Sequence, residues 1–158
     1  MNRGNILRAC LRWLIAAALV WAALGKLANP QEFYGAILGY QLPLPAVLAR
    51  ATAVVLPWIE LLCGLLLAAN HRRGAALAWA LLLFVVFAIV TAQAWLRGLR
   101  VACGCFDLHV LGIAQDSDLA HFFESLAFAF FRAVLLASAA CYLFRREVST
   151  QRRPEPGP

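Results

Sequence analysis

Long apolar runs alternate along this chain with short polar or proline-bearing pieces. Four runs stand out: Leu11 to Ala28, Ala46 to Ala69, Gly74 to Leu96 and His121 to Phe144. A hydrocarbon core of about 30 Å needs roughly 20 apolar residues per helix. Backbone polar groups in lipid must find partners within their own segment, so runs of this length are predicted as α-helices. The pattern therefore predicts an all-α integral membrane four-helix bundle. Residues 1–144 form its single membrane domain, and residues 145–158, with Arg pairs and three prolines, read as a disordered cytoplasmic tail.

The breaks are as informative as the runs. Asn29-Pro30 closes the first helix, because Pro cannot continue the hydrogen-bond ladder and Asn tolerates turn geometry. Glu32 to Tyr40 is predicted as a short helix at the membrane interface, with Phe33, Tyr34 and Tyr40 as aromatic anchors. Pro43 and Pro45 begin the second span, and Pro57 inside it should kink the helix and free a carbonyl near Ala53. The third span carries Gln93 and Trp95 near one end and reads as a packing helix. The first span follows a basic start but is long and has no clear small-X-small cleavage site before Lys26, so it reads as retained.

Composition agrees with the pattern. The chain is 63% hydrophobic and 14% charged, with a mean hydropathy of +0.76, far from a soluble domain. If four helices alternate, nine basic residues (Arg3, Arg8, Arg12, Arg72, Arg73, Arg145, Arg146, Arg152, Arg153) fall on one side and four (Lys26, Arg50, Arg97, Arg100) on the other. That imbalance predicts both termini in the cytoplasm. It also accounts for the net charge of +6 as topology, with no nucleic-acid footprint.

Ionisable groups inside the runs need partners, since a bare charge in hydrocarbon is costly. Glu60 lies midway through the second span and Arg132 midway through the fourth, so depth matches them. Lys26 and Glu124 match near the opposite ends of their helices. Lys26 reaching Glu60 requires its stem to span roughly two turns. Such ions either fix helix register or line a polar pocket, with Lys26 and Glu60 shaping a site for an electron carrier such as quinone. His109, four residues after Cys105, and His121 are either proton donors near the thiols of Cys103 and Cys105 or solvated interfacial residues.

Five cysteines divide into two groups. Cys10, Cys63 and Cys141 fall within or at the ends of helices and read as small apolar residues. Cys103 and Cys105 flank Gly104 in the polar connection before the last span. Gly permits the tight backbone that a short disulfide ring demands, and a strained disulfide exchanges readily. Thiol-disulfide exchange is thus the leading chemistry for Cys103 and Cys105. A structural staple and a soft-metal site are the other readings, although two thiolates without a third ligand make a poor closed site. No metal site is expected.

Four ordered motifs carry a resemblance: Gly25-Lys26-Leu27 with Asn29-Pro30 and Phe33; Tyr40 with Leu42-Pro43; Pro57 with Glu60-Leu61 and Gly64; and Cys103-Gly104-Cys105-Phe106. Together they resemble the methylamine utilisation MauE family, a branch of the wider DoxX-like membrane proteins. Asp107 departs from the small residue usual after the last motif. The resemblance implies a four-helix bacterial inner-membrane bundle, in which the orientation predicted by the basic residues turns the Cys103 and Cys105 connection to the periplasm. It further implies a thioredoxin-like partner and a role in maturing a periplasmic protein, the family's namesake client being the methylamine dehydrogenase small subunit. Two other functions are compatible with the residues: a non-catalytic assembly scaffold, and a carrier of a small solute or sulfur compound along Lys26, Glu60 and Arg132.

Overall fold

A computed structural model describes residues 3–99 and 125–151, and every element among them is helical: α1 (Arg3–Ala28), α2 (Pro30–Gly39), α3 (Ala46–Ala68), α4 (Arg73–Leu96) and α5 (Leu126–Gln151). The four long helices each contain 23 or 24 residues of membrane-compatible composition, about 36 Å at 1.5 Å per residue and enough to cross a bilayer. Their outward faces carry large apolar side chains, including Trp13, Val47, Leu62, Ile89 and Leu135. In water such a surface would aggregate, whereas in lipid it is the ordinary exterior. The chain is a multi-pass helical membrane protein.

Local chemistry sets the ends of the elements. Asn29, the residue before Pro30, is driven out of helical geometry to φ −126°, as a proline on its C-terminal side requires. Pro30 then opens α2, where its missing N–H costs nothing. α3 ends with Asn70 in the left-handed region at φ 59°, Asn70 donating to the Leu67 carbonyl and His71 to that of Leu66. α4 ends in the same way around Gly98 at φ 65°, with bonds to the Trp95 and Ala94 carbonyls. Both are paired-bond caps that satisfy otherwise orphaned carbonyls.

Two antiparallel pairs build the bundle, α1 with α3 and α4 with α5, joined along the α3–α4 and α1–α5 seams. Near the end that carries both termini, the interior is apolar: Ile15, Leu19, Leu67, Phe84 and Leu136 pack with buried alanines. Toward the other end the interior turns polar, with Lys26, Glu60 and Thr91 buried. Thr91 satisfies itself, its hydroxyl donating to the Phe87 carbonyl at 2.8 Å. α2 lies on the first half of α3, Phe33 and Ile37 seated on Ala49 and Ala53.

The expected spans were close, with instructive differences. α1 begins at Arg3 rather than Leu11, and α5 runs on to Gln151 rather than stopping at Phe144. Residues 145–151 therefore continue the helix where a disordered tail was expected. Arg and Glu are good helix formers, and once a helix is nucleated in the membrane each further turn adds bonds without a new nucleus. α3 runs through Pro57, which is buried; having no N–H, it leaves the Ala53 carbonyl without its intrahelical donor.

Candidate functional site

The polar half of the interior centres on Lys26 and Glu60. Lys26 Nζ donates to both carboxylate oxygens of Glu60, at 2.6 Å to Oε1 and 2.5 Å to Oε2. Lys26 is 3% exposed and Glu60 8%, so the pair is largely removed from solvent. Its ammonium also stands 5.2 Å from the centroid of the Phe33 ring, within cation–π range. Phe33, expected as an interfacial anchor, instead roofs the ion pair from α2.

Of the three pairings considered from sequence, the structure forms the one judged hardest to reach, and helix register explains why. Gly64 packs against Ala16 and Val20 of α1, which sets Glu60 level with about residue 22 and Lys26 only about one turn beyond it. Side chains on a helix lean toward its N-terminus. In this antiparallel pair Lys26 leans toward Glu60 and Glu60 toward Lys26, and the two tilts close the remaining turn. Counting from the ends of the spans overstated the gap, because α1 stops at Ala28 while α3 begins well beyond that level.

Arg132 lines the same small cavity as the pair, with its guanidinium carbon 5.9 Å from the Phe128 centroid. All four long helices contribute walls, among them Ala22, Phe84, Phe87 and Leu136. The cavity holds about 50 Å³, room for a few waters and well below the several hundred Å³ of a typical small-molecule site. Depth matching of Arg132 to Glu60 thus located the right layer of the bundle, although the Glu60 carboxylate is engaged by Lys26.

Cys103, Cys105, His109, His121 and Glu124 lie outside the described residues. The chain leaves the described bundle at Leu99 and re-enters at Ser125, both at the end toward which Lys26 and Glu60 lie. That end is fastened by Arg97, which donates to the Gln41 side chain at 3.2 Å and to its carbonyl at 3.4 Å. Tyr40 packs there with Ala94 and Leu126. Cys63 is a buried core residue on α3, as expected, while Cys10 is exposed and Cys141 half-buried. Among the described residues no cluster of His, Cys, Asp and Glu is arranged to hold a metal. Sequence reasoning missed the Gln41–Arg97 fastening and the role of Phe33. The seven-residue spacing from Lys26 to Phe33 across Asn29-Pro30 was the available signal for the latter.

Fold and site together define a polytopic helical membrane protein organised around a buried lysine–glutamate pair that joins its first and third helices. The chain belongs to the family described as Methylamine utilisation protein MauE, which it matches over residues 4–145. It is 37% identical over 97 residues to the MauE protein of Paracoccus denitrificans, covering 61% of this chain and 52% of that one. To the MauE protein of Methylophilus methylotrophus it is 37% identical over 92 residues, 58% and 48% of the two chains. To that of Paracoccus versutus it is 39% identical over 97 residues, 61% and 52%. The chain spans about half the length of these curated relatives. No solved structure matches it.

Proposed function

We propose that this protein is an inner-membrane thiol-disulfide exchange component that assists maturation of a periplasmic protein in methylamine utilisation. Cys103 and Cys105 carry the chemistry. A thiolate of a reduced partner attacks one sulfur of the Cys103–Cys105 disulfide, breaking that bond and forming a mixed disulfide. A second partner thiolate then displaces the chain's sulfur. Two electrons pass to Cys103 and Cys105, which each take up a proton, and the partner leaves with a new disulfide. Oxidation of the dithiol by the disulfide of a thioredoxin-like protein is the same step in reverse.

The observation that carries this reading is the buried Lys26–Glu60 pair toward the end of the bundle from which the Cys103-Gly104-Cys105 connection departs. A buried, internally neutral pair keeps that end of the helices in fixed register, and the adjoining cavity has room for water able to carry protons. The cavity's small volume favours a protein disulfide as the electron partner over a quinone held between the helices. MauE membership supports the methylamine setting, with the methylamine dehydrogenase small subunit as the first client to examine.

Single Cys103→Ser and Cys105→Ser variants test the reading by trapping. One of them should accumulate a mixed disulfide visible as a dithiothreitol-sensitive shift on a non-reducing gel, and the double variant should lose both the adduct and client disulfide formation. A double variant that matures the client at the normal rate would make the protein a scaffold instead.

A further inference from the structure

A second cavity lies at the opposite end of the bundle, beside both termini, with a volume of about 340 Å³. Arg8 and Arg12 of α1, Arg73 of α4 and Arg146 of α5 line it, with Glu147 the one carboxylate among the described residues of its wall. Four guanidiniums against one carboxylate leave an excess of three positive charges around a space of ligand size. Leu77 and Leu143, buried side chains of the apolar core, form part of the floor.

A bias of basic residues toward one side of a membrane orients helices whatever their angular position. It gives no reason for arginines from three helices to converge on one cavity. Arg145, exposed at the same end, stands outside the cavity lining. Arg12 is moreover held in place: its Nη1 donates to the Asn70 side chain in the α3–α4 turn, and its Nε is buried without an acceptor among the described residues.

We propose that this cavity binds a phosphate-bearing anion, with the arginines gripping its oxygens through their planar forks. The cavity lies at one end of the four spanning helices and part of its floor is apolar, which suits the headgroup of an anionic phospholipid. Free phosphate presents the same oxygens, so the experiment separates the two sources.

The full chain, purified in a neutral detergent, is examined by native mass spectrometry with phosphatidylglycerol or phosphatidylcholine of equal acyl chains, with and without millimolar inorganic phosphate. Phosphatidylglycerol should be retained about tenfold more than phosphatidylcholine, and Arg12→Gln with Arg73→Gln should abolish the preference, a loss scaled to two guanidiniums. Arg145→Gln should leave it intact. Retention that resists inorganic phosphate assigns the site to lipid; displacement by phosphate, absent in the double variant, assigns it to the free anion. If the Gln pair does not fold by circular dichroism, Arg12→Lys with Arg73→Lys gives the readout. Keeping charge without the fork, it should weaken retention severalfold. Equal retention of the two lipids, an equal loss with Arg145→Gln, or wild-type retention by the Lys pair would reduce the arginines to diffuse surface charge and overturn the site.

Discussion

At the scale of single residues, Lys26 and Glu60 separate two kinds of contribution. Removing one member of a buried ion pair strands the other, which typically costs about 3–5 kcal/mol, whereas replacing both with apolar residues of similar volume is often neutral. Lys26→Met and Glu60→Met alone should therefore each destabilise the bundle by about that amount in chemical denaturation, and the double Met variant should recover most of the loss. If the pair also serves the exchange chemistry, the recovered double variant will still be deficient in client disulfide formation. Full recovery of stability and maturation together would make the pair a register device only. Both residues were legible in the sequence as intramembrane charges requiring partners, because the cost of a bare charge in hydrocarbon does not depend on the fold. Their pairing was not, since it rests on the relative height of two helices and the direction in which side chains lean.

At the scale of elements, Gly64 controls that height. A Cβ there would come within 2.8 Å of Val20 Cγ2, 3.1 Å of the Ala16 carbonyl oxygen and 3.2 Å of the Val20 nitrogen. The valine side chain can rotate away but the backbone atoms cannot, so Gly64→Ala must push α1 from α3. Overpacking of this kind costs about 1–3 kcal/mol, and because Gly64 lies one turn from Glu60 the displacement falls on the ion pair. A thermal shift of Gly64→Ala below wild type, with a further drop for Gly64→Val, is the expected result; an unchanged midpoint would mean the helices meet elsewhere. Small residues at such crossings are a recurring feature of membrane helices, but in the sequence Gly64 stood out only as part of the Pro57–Glu60–Gly64 motif, without its packing role or partner. The helices themselves were the most legible part, as hydrophobic length in a bilayer leaves few alternatives. Their ends were less so: Asn29-Pro30 marked its boundary through steric necessity, while the extension of α5 to Gln151 depends on helix propagation beyond the apolar run, to which a hydropathy pattern is blind.

At the scale of the whole molecule, an apolar core lies between two polar regions, an arginine-lined cavity beside the termini and the Lys26–Glu60 layer toward the end where the chain leaves at Leu99 and returns at Ser125. That arrangement was partly visible in the sequence, where Lys26 and Glu60 were read as shaping one polar pocket and Arg132 as lining a route with them, but the size of the shared cavity depends on packing. The arginines at the terminal end were read as topology signals; their convergence on one space emerged only with the packing of α1, α4 and α5. The proposed exchange rests on Cys103 and Cys105, whose Cys-Gly-Cys sequence is a local motif with chemistry of its own. The direct test is the thiol state of that pair in intact cells, measured by alkylation with a membrane-impermeant maleimide before and after mild reduction and read by peptide mass spectrometry. The account predicts that both cysteines are protected before reduction and labelled from outside after it. Labelling of both before reduction would contradict the disulfide, and failure to label them from outside after reduction would contradict the orientation on which exchange with a periplasmic partner depends.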